Sequence, residues 1–129
     1  MAHITKIGKK GFTLIELLIV ITIIGILLTI AQPTYKTSVR RAKETVLKEN
    51  LFAMRSAIDQ FYADNGSYPA SLEDLVQKGY LRSIPRDPIT NSNTTWVIVP
   101  PPNPEETGVY DVKSGSNEIS LSGTPYSDW

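Results

Sequence analysis

The stretch Lys9-Lys10-Gly11-Phe12-Thr13-Leu14-Ile15-Glu16 runs directly into an apolar segment ending at Ala31, and its reading decides the fold. Residues 12–31, as a helix rising 1.5 Å per residue, cover about 30 Å, the thickness of a bilayer core. Glu16 is out of place there. A carboxylate deep in a membrane helix costs roughly 2.5–3.5 kcal/mol on insertion scales, and less toward an end. It therefore needs a partner. If the chain is cut after Gly11, the new amino group on Phe12 lies one helical turn from Glu16, and in an assembly the amine of one copy could meet the Glu16 of the next. An ordinary secretory signal peptide has a shorter apolar core and a small-residue cleavage site beyond it. Ala31-Gln32-Pro33 is a poor copy of such a site.

Composition narrows the function classes. Thirteen basic residues balance thirteen acidic ones, and loss of Lys6, Lys9 and Lys10 with residues 1–11 takes the net charge from 0 to −3. No basic stripe of the kind phosphate binding demands is present, so no nucleic-acid partner is expected. There is no cysteine, which removes disulfides, thiol nucleophiles and zinc-thiolate sites together. His3 is the only histidine and falls before Gly11, so a chain starting at Phe12 can form no Ser-His pair. With no Gly-rich phosphate loop either, no enzyme is expected.

Beyond the membrane-length run the pattern stays helical. Leu47, Leu51, Met54, Ile58 and Phe61 recur at alternating steps of four and three, a narrow apolar stripe that predicts a core seam. Arg40, Lys43, Glu44, Lys48, Glu49, Arg55 and Asp59 are assigned to the solvated face, with Glu44–Lys48 as an i,i+4 pair. Tyr35, Val39 and Ala42 are left for neighbouring subunits. Asp64-Asn65-Gly66 ends the helix, Gly66 supplying the positive φ. Pro33 predicts a kink.

Residues 64–129 are too few to bury much core alone and need the stripe as a wall. Ser71 is the expected N-cap of a short helix that closes near Gly79. Residues 95–99, 108–112 and 118–121 read as strands. The Pro-rich, acidic loop 100–106 joins the first two in extended form. The fold class is thus α+β: a long N-terminal helix packed against a small three-stranded antiparallel sheet.

The basic leader ending in Gly11, then Phe12-Thr13-Leu14-Ile15-Glu16 and a membrane-length run, resembles the type IV pilin and type II secretion pseudopilin superfamily. Asp64-x-Gly66-x-Tyr68-Pro69, Leu72-Glu73-Asp74-Leu75 and Pro85-Arg86-Asp87-Pro88 resemble the major pseudopilins of type II secretion in order and spacing. The absence of a cysteine pair leans the same way.

The resemblance implies cleavage between Gly11 and Phe12 by a prepilin peptidase, N-methylation of Phe12, and assembly through Phe12 and Glu16. It divides the chain into a leader (1–11), a transmembrane and filament-core helix (12–31), its amphipathic continuation (32–63) and a small periplasmic domain (64–129). It implies a homopolymer in the bacterial inner membrane, working with other pseudopilins, a platform protein and an assembly ATPase, and local unwinding between Gly25 and Pro33 in the filament. Lys36, Arg40, Arg41, Lys43 and Lys48 follow the apolar run, and the positive-inside rule alone would keep that side in the cytoplasm. The resemblance implies the reverse, and the expectation follows it.

In major pseudopilins a C-terminal loop carries calcium, and here the matching stretch offers Asn117, Ser122 and Asp128, a charge-poor set implying weak affinity. The alternative is a Gly/Ser/Pro-rich turn pinned by Tyr126 and Trp129. Three other functions stay open at this stage: a type IV pilus subunit for adhesion, motility or DNA uptake, a membrane-tethered binding module, and electron conduction. The last has little support, since the aromatics form no dense cluster on the rod.

Overall fold

A computed structural model describes Gly11 and residues 13–129, with the backbone only at 31–33. Helix α1, Leu14–Asn65, is followed by α2 (Leu72–Gln77), the strands β1 (Val97–Val99) and β2 (Asp111–Lys113), and a 3-10 turn at Tyr126–Asp128. The chain divides into two units, Met1–Val39 and Arg40–Trp129.

In the first unit, α1 is apolar enough and long enough to cross a membrane. Every residue from 14 to 30 is exposed. Thr22 and Thr29 return their hydroxyls to the carbonyls of Leu18 and Gly25 at 2.7 and 2.8 Å, which removes two polar groups from the apolar surface. The secondary structure continues through Gly25 and Pro33 without a break.

The second unit confirms the stripe. Leu47, Leu51, Met54, Ile58 and Phe61 are all buried, joined by Ala57, Leu72, Leu75, Trp96, Val109, Val112 and Tyr126 in one core. α1 ends where expected: Gly66 takes φ 71° and its N–H bonds to the Tyr62 carbonyl at 2.8 Å. α2 starts at Ser71, whose hydroxyl accepts from the Asp74 N–H, while the Asp74 carboxylate accepts from the Ala70 N–H, a reciprocal cap. Gly79 at φ 84° ends it.

Two expectations about the sheet and the solvated face need correction. The sheet has two strands, not three: β1 and β2 pair antiparallel with Val97 opposite Lys113, Ile98 opposite Val112 and Val99 opposite Asp111. Residues 118–121 contribute only an isolated bridge between Ile119 and Pro125. Serine hydroxyls explain this. Ser114 Oγ accepts from the Ser116 N–H, Ser116 Oγ from the Glu118 N–H, and Ser120 pairs with Thr124 around Gly123. Side chains thus take backbone donors that a ladder would need. The loop 100–106 is likewise not extended throughout, since the Asn103 side chain accepts from the Glu105 N–H and turns it.

The second correction concerns Glu44, expected on the solvated face with Lys48. It is 9% exposed and receives the Leu121 N–H and the Tyr126 hydroxyl. Arg55, assigned to the same face, is half-buried against β2.

Candidate processing and assembly site

Gly11 is exposed, an added Cβ there would meet no atom within 4 Å among the described residues beyond its chain neighbours, and it takes φ 139°, a conformation that L side chains rarely adopt. Phe12 lies outside the described residues. Thr13 follows as the N-cap of α1: its carbonyl accepts the Leu17 N–H at 3.1 Å and its hydroxyl accepts the Glu16 N–H at 3.2 Å. Thr13 therefore serves the cap, whereas Thr22 and Thr29 bond back to carbonyls. Thr13-x-x-Glu16 has the spacing of a capping box, a signal present in the sequence itself. It gives Glu16 a local reason for its place, because a carboxylate in the first turn is favoured by the helix dipole.

The carboxylate of Glu16 has no partner among the described residues, and Leu14, Ile15, Leu17, Leu18 and Ile19 around it are exposed. The cap uses the Glu16 backbone and leaves its charge free. In hydrocarbon such a charge is stable only beside a counter-charge, and this chain supplies none within α1 before Lys36.

The C-terminal loop shows a different chemistry. Asn117, Ser122 and Asp128 are all exposed. The Ser122 hydroxyl is 2.9 Å from that of Ser120 and 3.3 Å from that of Thr124. Ser120 Oγ and Thr124 Oγ1 also accept N–H donors, from the Thr124 backbone and the Trp129 indole respectively. Ser122 shares an open groove with Lys48 and Arg55, two cations that would repel a divalent ion. No group of three acidic, histidine or cysteine side chains occurs among the described residues. Calcium takes six to eight oxygens with several carboxylates, and this donor set does not fit it.

The Asp87 carboxylate, in the Pro-bracketed connector, is structural in its contacts. It is fully buried and accepts from the N–H groups of Ile89 and Thr90 and from the Ser114 hydroxyl. Asn50 on α1 holds the same connector by donating to the Arg86 carbonyl at 2.9 Å.

The prokaryotic N-terminal methylation motif matches residues 7–32, a span enclosing Gly11, the Thr13 cap and Glu16. Type II secretion system core protein G of Escherichia coli is 32% identical over 122 residues, covering 82% of this chain and 80% of that protein. The chain belongs to the type II secretion core protein G family. The core protein G of Pseudomonas aeruginosa is 36% identical over 99 residues, covering 64% of this chain and 70% of its own length. Fimbrial protein EcpC of Eikenella corrodens is 45% identical over 62 residues, but this covers only 48% of the chain and 40% of that protein. No solved structure matches. Membership in the core protein G family rests on both halves of the chain, whereas the fimbrial likeness spans about half of it.

Proposed function

We propose that this protein is the structural subunit of a type II secretion pseudopilus, a pseudopilin of the G type. The observation that carries the proposal is Glu16: a carboxylate with no partner among the described residues, at the start of an exposed apolar helix and inside a methylation motif. A membrane peptidase cuts after Gly11, which is exposed and takes its positive φ without strain. The new Phe12 amine is methylated and remains cationic. In the polymer it meets the Glu16 of an adjacent copy, so that a charge costly in lipid becomes a pair holding neighbouring helices in register.

Residues 12–31 are then the filament core, crossing the inner membrane once before assembly, with residues 64–129 and the helix they pack on in the periplasm. Other pseudopilins, the processing peptidase and an inner-membrane platform with its ATPase are the partners this role requires. A pilus subunit for attachment or motility is the less favoured reading, because the fimbrial likeness is confined to a shorter stretch.

Intact-mass measurement of the protein extracted from its native membrane tests the processing step. The proposal expects a chain starting at Phe12 and carrying one methyl group. A chain retaining residues 1–11 would have no amine beside Glu16 and would overturn it.

A further inference from the structure

The oxygens near the C-terminus are not left without a cation. Arg55 Nε donates to the Asp111 carboxylate at 2.7 Å, and its Nη2 donates to the carbonyl of Val112 at 3.0 Å and to the backbone oxygen of Trp129 at 2.8 Å. One carboxylate and two backbone oxygens, from two separate segments, are the ligand types a calcium ion collects. The planar, permanently charged guanidinium collects them from the side of α1. Lys48, two turns earlier, sets its ammonium 5.0 Å from the Trp129 ring centroid. Glu44, one further turn back, receives the Leu121 N–H at 3.4 Å and the Tyr126 hydroxyl at 3.3 Å. Three residues of one helix thereby engage Asp111, Leu121, Tyr126 and Trp129.

We infer that Arg55, supported by Lys48 and Glu44, staples the C-terminal loop to α1 in the place of a bound metal ion, so that the loop folds independently of calcium. Two further observations support the inference. The hydroxyls of Ser120, Ser122 and Thr124 already satisfy one another and two N–H donors. The groove that Ser122 lines carries Lys48 and Arg55, so added calcium would meet positive charge. The inference concerns the folded subunit and stands whether or not the subunit polymerises.

The test is thermal unfolding of the full chain in detergent, read by tryptophan fluorescence, with EDTA, with no addition, and with calcium chloride. The wild-type midpoint is expected to agree across all three conditions. A calcium site filled at a hundred times its dissociation constant would raise the midpoint by about 10 °C, and such a rise, or a matching fall with EDTA, would overturn the inference. Arg55→Gln should lower the midpoint by about 10 °C with or without calcium and open the chain near Trp129 to protease. Arg55→Lys should recover part of the loss, because it restores charge without the fork. An unchanged midpoint in Arg55→Gln would equally overturn the staple. The wild-type arms require no variant to fold.

Discussion

The Ser114 hydroxyl donates to the Asp87 carboxylate across 2.6 Å, joining segments 27 residues apart where neither side chain reaches solvent. Asp87 also closes its own turn through the N–H groups of Ile89 and Thr90, and Ser114 passes the link on by accepting the Ser116 N–H. The Pro-bracketed connector and the segment after β2 are thus held by one buried carboxylate. Asp87→Ala should destabilise the protein by about 3 kcal/mol, since it strands the buried Ser114 hydroxyl together with two partly buried N–H donors. Asp87→Asn, keeping an acceptor for the turn, should cost about 1 kcal/mol. Urea denaturation of the two variants beside the wild type measures the difference.

A second prediction concerns alkaline pH. Burial, and next the charge of Glu44, raise the Tyr126 hydroxyl above the usual tyrosine value of 10.0. In the unfolded chain the same hydroxyl ionises near that value, so above it the folded state holds more protons and stability falls with rising pH. The contribution is fully present below about pH 10 and is lost as the pH climbs through the raised folded value. Tyr80, raised chiefly by its hydrogen bond to Asp64, acts in the same direction. Tyr126→Phe should be less stable than wild type at neutral pH and should lose less on going to alkaline pH. Denaturation midpoints across that range decide it; equal slopes would count against the burial argument.

Close backbone approach gives a third. A Cβ on Gly115 would sit 2.1 Å from the Thr95 carbonyl oxygen, beside the start of β1, and backbone cannot yield as a flexible side chain would. Gly115→Ala should therefore cost more than about 3 kcal/mol. At Gly25 and Gly79 an added Cβ would meet no described atom within 4 Å beyond the adjoining chain and, at Gly25, the helix's own backbone, and Gly25, without a positive φ, is the useful contrast. Gly25→Ala should leave the folding of residues 40–129 unchanged, as read by protease resistance.

The apolar stripe from Leu47 to Phe61 was legible because burial on one helix face imposes a 3.6-residue period on sequence. The caps at Gly66, Ser71 and Gly79 were legible because each needs a residue with a particular backbone freedom or side-chain acceptor. Glu44 was misread for a physical reason: charge suggested solvent, yet residue 44 lies three before Leu47 and continues the same alternating series. Arg55, next to Met54, flanks that seam, and its long stem lets the charge reach β2 from a partly buried site. The third strand failed because Ser116 and Ser120 satisfy local backbone donors, a competition that β-propensity does not register. The Thr13-x-x-Glu16 cap is hard to read because an acid in an apolar run points to an intermolecular partner, while its backbone is engaged locally.

Cap and counter-charge make separable demands on residue 16. The cap takes its N–H, which any residue but proline supplies, while the proposed pairing with an adjacent copy needs the carboxylate. Glu16→Gln keeps the size and the N–H and removes only the charge. It should be cut after Gly11 and reach the membrane at wild-type levels.

The most direct measurement is therefore the yield of sedimenting filaments, verified by electron microscopy, from cells producing Glu16→Ala beside cells producing the wild type. The expected result is a processed, membrane-resident protein that forms no filaments. Filaments in normal number and length from Glu16→Ala would contradict the pairing of this carboxylate with the amine of an adjacent copy.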